Sequence, residues 1–244
     1  MPEIMKILDI QYNNFSVEEA LKQSALLLNQ EGKDSIFFLN SDCLYKTQYD
    51  KEYRDILNSA DLVLPDGVGL KIISWIFGEK MKENCNGTDF SPRFMEETAK
   101  KGYKIFLLGS KDGIAQRAGE NIKRSIPNIN IVGTHPGYFS NDKEVVQKIN
   151  ASGADILFVA MGVPLQEKWI ARNRDKLNPK LCLGVGALLD YLSGNIRRAP
   201  LFMRRMHLEW LWRIFIEPKR MFKRYIIDGS KLFWIVMKYK LCSR

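Results

Sequence analysis

The stretch ADLVLPDGVG, residues 60–69, contains the pattern that decides the fold. A short apolar run, Leu62–Leu64, ends in Pro65 and Asp66, and helical periodicity begins at Gly69. An apolar run of this length, bounded by proline and glycine, predicts a buried β-strand. The change to helical spacing directly after it predicts a strand-to-helix connection of a parallel sheet.

The same pattern recurs along the chain from residue 35 onward. Regular alternation of strands and helices favours an α/β fold with a Rossmann-like, mostly parallel sheet flanked by helices. The predicted strands are Ser35–Leu39, Leu62–Leu64, Lys104–Leu108, Ile129–Val132, Ile156–Ala160 and Leu181–Val185. The predicted helices are Tyr49–Ser59, Gly69–Phe77, Pro92–Lys101, Gly113–Ser125, Lys143–Asn150 and Gln166–Leu177.

Composition places the chain among globular proteins, with 45% hydrophobic and 27% charged residues in 244. No apolar run approaches the roughly 20 residues of a membrane-spanning helix. The stretch Met1–Phe15 lacks the apolar core of a signal peptide, so a cytosolic location is expected. The four cysteines are scattered, and only two histidines are present, so neither a metal site nor a redox pair is predicted. Trp75 and Trp169 are expected in the core.

The last 44 residues differ from the rest of the chain in charge. They hold eleven Lys or Arg against three acids, a net charge of +8 out of +9. They also contain nine of the 27 aromatic residues. Basic and aromatic residues at helical spacing are typical of a helix that lies on an anionic membrane, although a terminal helix packed on the core is the simpler alternative. Nucleic-acid binding is disfavoured, because residues 1–200 are nearly neutral. The composition change predicts a core of residues 1–199 and a helical appendage of residues 200–244.

Glycine or polar residues follow each predicted strand. In an open parallel sheet the ligand site lies beyond the carboxyl ends of the strands, where glycine allows close approach and helix N-termini attract phosphate. A nucleotide diphosphate is therefore the predicted ligand. Neither Gly67-Val68-Gly69 nor Gly184-Val185-Gly186 completes the dinucleotide fingerprint, since Ile72 and Leu189 occupy the third glycine position. A phosphate-binding P-loop motif is also absent.

Asp66 is the carboxylate that the pattern singles out. Its position after a strand and before two glycines suits a general base that faces a crevice. It suits equally well an N-cap of the helix that begins near Gly69, and the sequence leaves both roles open. Glu167 and Asp190 are weaker candidates for the base, because each lies within a predicted helix.

Several short motifs stand in a fixed order along the chain. They are ADLVLPDGVG (60–69), NGTDF (86–90), FLLG (106–109), GYF (137–139), GVPLQEKW (162–169), RAP (198–200), LEWLWR (208–213), EPKR (217–220) and RY (224–225). Together they resemble the WecG/TagA/CpsF family of bacterial glycosyltransferases, glycosyltransferase family 26, and the resemblance covers most of the chain.

The resemblance implies a Rossmann-type core whose C-terminal appendage docks on the membrane and helps to complete the active site. The implied reaction moves a hexose or N-acetylhexosamine, N-acetylmannosamine in the best-known members, from a UDP-sugar to a polyprenyl-diphosphate-linked saccharide. It proceeds with inversion, in the synthesis of a cell-surface polysaccharide or teichoic acid. The sequence has no D-x-D triplet, by which many sugar-nucleotide enzymes hold a divalent metal, so no metal or other cofactor is expected. The implied partners are the UDP-sugar, the acceptor lipid and the anionic inner face of the cell membrane, to which the protein binds peripherally. A homo-oligomer is a weaker expectation.

The resemblance also assigns roles to residues. Asp66 becomes the base that takes the proton of the acceptor hydroxyl, and arginines of the appendage offset phosphate charge. The implied substrate-binding residues are Asn40, Gly67, Asp89, Gln166, Arg213, Arg220 and Arg224. The implied nucleotide-binding residues are Gly109, Ser110, Gly137, Tyr138, Gly162, Pro164, Glu167 and Gly186.

Two positions differ from the family pattern. Asn84 stands where many members have Arg, and Phe38 stands where many have Thr. If these side chains contact the donor sugar elsewhere in the family, a different hexose or acceptor is expected here. A nucleotide-binding module without turnover, or another nucleotide-dependent enzyme on a Rossmann-type fold, remains the alternative function.

Overall fold

A computed structural model describes residues 3–206 and 208–242 of the chain. The strands are β1 (Ile4–Ile7), β2 (Ile10–Asn13), β3 (Asp34–Leu39), β4 (Leu62–Pro65), β5 (Lys104–Gly109), β6 (Asn130–His135), β7 (Ile156–Ala160) and β8 (Leu181–Gly184). The helices are α1 (Val17–Asn29), α2 (Ser41–Thr47), α3 (Lys51–Asn58), α4 (Gly67–Ile76), α5 (Gly87–Lys100), α6 (Ile114–Ser125), α7 (Asp142–Ala151), α8 (Leu165–Asn173), α9 (Leu188–Leu192), α10 (Leu201–Arg205), α11 (Glu209–Ile216), α12 (Pro218–Phe222) and α13 (Gly229–Cys242). A 3₁₀ segment, Arg174–Lys176, follows α8, and a π-helical segment, Lys223–Asp228, joins α12 to α13.

Six strands form one parallel sheet in the order β4-β3-β8-β7-β5-β6. Helices cover both faces, and alternate residues of each strand enter two separate hydrophobic clusters. In β3, for example, Ile36 and Phe38 face one cluster while Phe37 and Leu39 face the other. Every predicted strand is present, which confirms the α/β, Rossmann-like prediction.

Local hydrogen bonds shift some helix boundaries from their predicted places. Helix α5 was expected to begin at Pro92, but Asn86 caps it and its side chain accepts a bond from the Asp89 amide. Helix α2 was not predicted, and it begins at a similar cap, Asn40. Asparagine caps fix a helix start through contacts that apolar spacing does not reveal.

An N-terminal hairpin of β1 and β2 was also not predicted. Its turn residues, Leu8 and Asp9, adopt left-handed φ values of 48° and 64°. Hairpin turns of this kind usually carry Asn-Gly or Asp-Gly, so the sequence lacks the ordinary turn signal here. The hairpin is fixed beside β4, because the Val63 amide donates to the Asn13 side chain.

The two tryptophans expected in the core have different environments. Trp169 of α8 is 2% exposed, as predicted. Trp75 of α4 is 79% exposed, so that prediction is wrong. Leu70 and Ile73 fill the core-facing side of α4, which leaves Trp75 on the opposite side.

Helices α10–α13 and the π-helical segment form the appendage, Leu201–Cys242. It packs against α2 through α13, and its buried apolar residues among those described are Met221, Leu232 and Val236. Within residues 3–206 and 208–242, no helix combines the length and the hydropathy that crossing a bilayer requires. The predicted division into a core and an appendage at residues 199 and 200 remains a prediction.

Candidate active site

The chain changes direction across the sheet between β5 and β7. Helix α6 leads from β5 to β6 at one edge, whereas α8 leads from β7 to β8 in the opposite direction. Strands β5 and β7 are neighbours, and Gly109 pairs with Ala160 at their carboxyl ends. A ligand crevice in an open α/β sheet forms at such a switch point.

The loops at this switch point pack closely on each other. Gly109 has a φ of 147°, and a Cβ atom there would lie 2.4 Å from the Ala160 carbonyl oxygen. A Cβ on Gly137 would lie 2.9 Å from Gly109 Cα. Ser110 donates to Asp190 over 2.9 Å, and Tyr138 is 77% exposed. The structure therefore brings together Gly109, Ser110, Gly137 and Tyr138, four of the residues predicted to bind the nucleotide.

The backbone amides at the strand ends already have partners within the protein. The amides of Gly162 and Gly186 both donate to Gln166 Oε1, over 3.2 and 2.9 Å. The Gly137 amide donates to the Ser110 carbonyl over 2.8 Å. These three amides are therefore paired within the protein, and the contact of these glycines with the nucleotide stays a prediction. Gln166, which is 2% exposed, ties the loops after β7 and β8 together.

Glu167 lies inside the protein. Its side chain is fully buried, and one carboxylate oxygen accepts a bond from Gln166 over 2.8 Å. Burial raises the pKa of Glu167 to about 7. Its predicted part in shaping the nucleotide pocket stays a prediction. Pro164, in a cis peptide with Val163, precedes the helix that carries Gln166 and Glu167.

A cavity of about 470 Å³ opens at the other half of the same sheet edge, beside β3 and β4. The ends of these strands, the start of α4, the segment 81–89 and the appendage enclose it. Of the predicted substrate-binding residues it contains Asn40, Gly67, Asp89, Arg213 and Arg224, together with Asp66. The other lining residues are Ser41, Val68, Gly69, Lys71, Met81, Lys82, Glu83, Asn84, Asn86, Thr88, Arg204, Glu209, Trp210 and Tyr225.

Asp66 stands at the N-cap position of α4, but its side chain makes no capping bond. Its carboxylate instead accepts a hydrogen bond from Asn40 Nδ2 over 3.3 Å. Burial raises the pKa of Asp66, while the Asn40 bond and the charges of Arg213 and Arg224 oppose this shift. The carboxylate thus faces the cavity, and a base with a raised pKa is better suited to take a proton near neutral pH.

Asn40 connects the core to the appendage. Its Oδ1 caps α2 through the amides of Asp42 and Cys43, and Arg224 Nη2 donates to the same oxygen over 3.2 Å. Its Nδ2 holds Asp66. One amide side chain therefore fixes the positions of both the carboxylate and an arginine of the appendage.

The other arginines of the appendage divide between the cavity and the surface. Arg213 lines the cavity and lies over the Tyr191 ring, 5.3 Å from its centroid. Arg220 does not line it; this side chain is 61% exposed and forms an ion pair with Glu217 at 2.7 Å. Arg220 was predicted to bind substrate, but it does not line this cavity.

Arg198 connects α5 to the appendage. It forms ion pairs with Asp89 at 2.6 Å and with Glu209 of α11 at 3.3 Å. These pairs hold the first helices of the appendage against α5. They also offset the charge of two carboxylates in the cavity wall, which favours binding of an anion there.

The two departures from the family pattern have different locations. Phe38 is 6% exposed and packs under Gly87, so it does not reach the cavity. Asn84 lines the cavity, and its Oδ1 accepts a bond from the Gly67 amide over 2.7 Å. Asn84 is therefore the departure that can affect substrate choice.

Several cavity residues were not predicted to be functional. Lys71 lies two residues after the Gly-Val-Gly motif, and Arg204, Glu209 and Trp210 lie in the basic aromatic tail. Glu209 and Trp210 stand four and three residues before Arg213, and this helical spacing could have found them. Within the described ranges, no group of three or more His, Cys, Asp or Glu side chains is placed to hold a metal ion.

The fold and the cavity together define a Rossmann-like enzyme whose enclosed carboxylate faces arginines at the carboxyl edge of the sheet. The chain belongs to the glycosyl transferase WecG/TagA/CpsF family, which matches residues 5–244, and it is a glycosyltransferase. This finding confirms the family that the motifs indicated.

Curated relatives agree with this family. The chain is 32% identical over 216 residues to the N-acetylglucosaminyldiphosphoundecaprenol N-acetyl-beta-D-mannosaminyltransferase of Bacillus spizizenii, covering 88% of this chain and 83% of the relative. It is 32% identical over 182 residues to the enzyme of that name from Bacillus subtilis, covering 75% and 71%. The enzyme of that name from Staphylococcus aureus is 25% identical over 217 residues, covering 88% and 85%.

Proposed function

We propose that the protein transfers a hexose or N-acetylhexosamine from a UDP-sugar to a saccharide carried on a polyprenyl diphosphate, with inversion at the anomeric carbon. The observation that carries the proposal is the Asp66 carboxylate, which Asn40 holds inside a cavity that Arg213 and Arg224 help to enclose. The names of the relatives support this acceptor class, since they act on a diphosphoundecaprenol-linked sugar.

The donor and the acceptor are proposed to enter from different sides. The switch point, with Gly109 and the exposed Tyr138, is the proposed nucleotide site. From β7 to β4 there are three strand spacings, or about 14 Å. An extended nucleotide diphosphate-sugar can bridge this distance, so its anomeric carbon reaches Asp66 while the acceptor occupies the cavity.

In the proposed reaction the acceptor hydroxyl oxygen attacks the anomeric carbon of the donor. The bond from this carbon to the diphosphate oxygen breaks, and UDP leaves with the electron pair. The Asp66 carboxylate takes the hydroxyl proton as the new glycosidic bond forms. Arg213 and Arg224 offset the negative charge that grows on the diphosphate. Because the two guanidinium groups supply the compensating positive charge, the proposal includes no divalent metal.

Membrane association is part of the proposal. The appendage exposes Phe215, Phe222, Phe233 and Trp234 beside its excess of Lys and Arg. Aromatic rings at the headgroup level and cations near anionic phosphates would hold the protein on the membrane that contains its acceptor.

The test is a donor panel. Purified protein is incubated with anionic vesicles, a short-chain polyprenyl-diphosphate-GlcNAc acceptor and one UDP-sugar at a time, and UDP release is measured with and without EDTA. We expect release with one donor, unchanged by EDTA. Release that EDTA abolishes would contradict the absence of a metal, and silence with every donor, together with donor binding in calorimetry, would indicate a binding module or a changed acceptor.

A further inference from the structure

Helix α4 has apolar residues on both of its sides. Leu70 and Ile73 are buried against the core, with 0% and 7% exposure. On the opposite side, Ile72 is 54% exposed and Trp75 is 79% exposed. Within the described part of the chain nothing covers these two side chains, so packing of the fold does not explain them.

This exposed side of α4 begins inside the cavity. Val68 and Lys71 line the cavity around Asp66, and Ile72 and Trp75 follow on the same helix. Positions i, i+3, i+4 and i+7 lie on one face, so Val68, Lys71, Ile72 and Trp75 form a continuous strip. At a rise of 1.5 Å per residue the strip is about 10 Å long.

The appendage adjoins α4 at both ends of the strip. At the N-terminal end, Tyr225 and Arg224 line the same cavity as Val68. At the C-terminal end, Lys240 donates to the Ile76 carbonyl, and the Phe77 and Tyr239 rings lie 6.0 Å apart. The strip is therefore exposed between two points at which the appendage contacts α4 or its cavity.

We propose that the isoprenoid chain of the acceptor leaves the cavity along this strip, over Ile72 and Trp75. The inference rests on the proposed function, which places the sugar diphosphate of the acceptor in the cavity. Lys71 then lies where the diphosphate joins the chain, so a cation meets the phosphate and apolar side chains meet the hydrocarbon. Along α4 a cation is followed by apolar side chains, in the same order as the diphosphate and the hydrocarbon chain of a polyprenyl diphosphate.

The test compares two acceptors without vesicles or detergent. GlcNAc diphosphate carries either a geranyl or a geranylgeranyl chain, below the concentration at which either aggregates. Because chain carbons beyond the first two isoprene units meet Ile72 and Trp75, we expect the wild-type KM for the geranylgeranyl acceptor to be about tenfold lower.

The Ile72→Ser/Trp75→Ser variant is expected to lose this preference. Its KM for the geranylgeranyl acceptor rises about tenfold to that of the geranyl acceptor, while kcat and the geranyl KM stay unchanged. The matched control is Ile4→Ser/Leu26→Ser, which alters exposed apolar residues on β1 and α1, far along the chain from the cavity. It keeps the wild-type preference.

Other results would overturn the proposal. Transfer to both acceptors with equal KM in the wild type contradicts the chain contact and leaves the proposed function standing. A double variant that keeps the preference in solution but loses binding to anionic vesicles shows that the strip meets the bilayer surface instead. No transfer to either acceptor with any UDP-sugar removes the proposed function and this inference with it.

Discussion

The parallel sheet layer and the appendage use their aromatic side chains in opposite ways. In the core, Trp169 and Phe158 are 2% and 0% exposed and hold the helices on the sheet. In the appendage, Trp234, Phe233 and Phe222 are 74%, 53% and 54% exposed. Aromatic residues of the core therefore stabilise the fold, whereas those of the appendage form a surface that the fold itself does not require.

The basic residues of the appendage divide in a similar way. Arg213 and Arg224 turn into the cavity beside Asp66, and Arg220 remains on the surface. The appendage thus has two different chemical tasks, one toward the site and one toward its surroundings. The comparison with the core predicts which substitutions affect stability, catalysis or membrane binding.

The largest expected effect is on the free energy of unfolding, and it distinguishes a buried tryptophan from an exposed one. Trp169→Ala removes a buried indole, which also donates to Asp142 over 3.2 Å, and should cost about 3–5 kcal/mol of the free energy of unfolding. Trp234→Ala should change it by less than about 0.5 kcal/mol, because this ring is exposed. Urea denaturation followed by circular dichroism measures both. Equal losses would show that the appendage packs as a core does.

The next largest effect is the loss of catalytic activity when an arginine of the cavity is replaced. Arg213→Ala or Arg224→Ala should lower kcat/KM about 100-fold, because each removes a cation beside the reacting diphosphate. Arg124→Ala, on the exposed side of α6, is the matched control and should remain near wild type. UDP release under initial-rate conditions measures the three variants. Losses below twofold in the cavity variants would contradict the assignment.

The core and the site differ in how far the sequence predicted them. Apolar runs such as Ile156–Ala160 depend only on local pattern and burial, so every strand of the sheet was predictable. Asp66 and Asn40 were found because a parallel sheet places the residues after its strands at one edge. The hairpin through Leu8 and Asp9 was missed, since its turn uses residues that rarely adopt a left-handed φ.

Side-chain partners and burial were harder to predict than the strands. The Gly162 and Gly186 amides donate to Gln166, and this choice of partner depends on tertiary packing. Glu167 sits one residue further along and is buried. Trp75 was expected in the core, but apolar residues occupy both sides of α4, and pattern alone does not show which side is covered.

A smaller effect is expected on vesicle binding. Replacing Phe222, Phe233 and Trp234 with Ser should weaken binding to anionic vesicles about tenfold or more, because exposed aromatic area no longer enters the interface. Rising salt should weaken the remaining binding. Co-sedimentation measures vesicle binding, with Ile4→Ser as a control. Point substitutions test this surface more specifically than truncation of the appendage, because truncation also removes the packing contacts of the buried residues Leu232 and Val236.

Unaltered vesicle binding by the triple variant at every salt concentration would contradict a membrane-facing surface on the appendage. The stability of this variant in urea should match that of the wild type, since the three side chains are exposed.

The smallest expected effect is on the pH dependence of turnover. Asn40→Asp keeps the oxygen that caps α2 but replaces the Nδ2 donor to Asp66 with a like charge, which raises the pKa of Asp66 further. A base works only when deprotonated, so the fall of kcat on acidification should begin at a higher pH than in the wild type. Asn141→Asp, at the distant cap of α7, should leave the profile unchanged. A shift toward lower pH would contradict the hydrogen-bond argument.

The central claim is that the core supplies the base, Asp66, and the appendage completes its surroundings. Asp66→Asn keeps the shape of the side chain but removes its ability to accept the acceptor proton. We measure UDP-sugar binding by calorimetry and single-turnover transfer in the same preparation. The account predicts unchanged donor affinity and transfer slower by about 10³-fold. Near wild-type transfer by Asp66→Asn would show that another group is the base and would contradict the account.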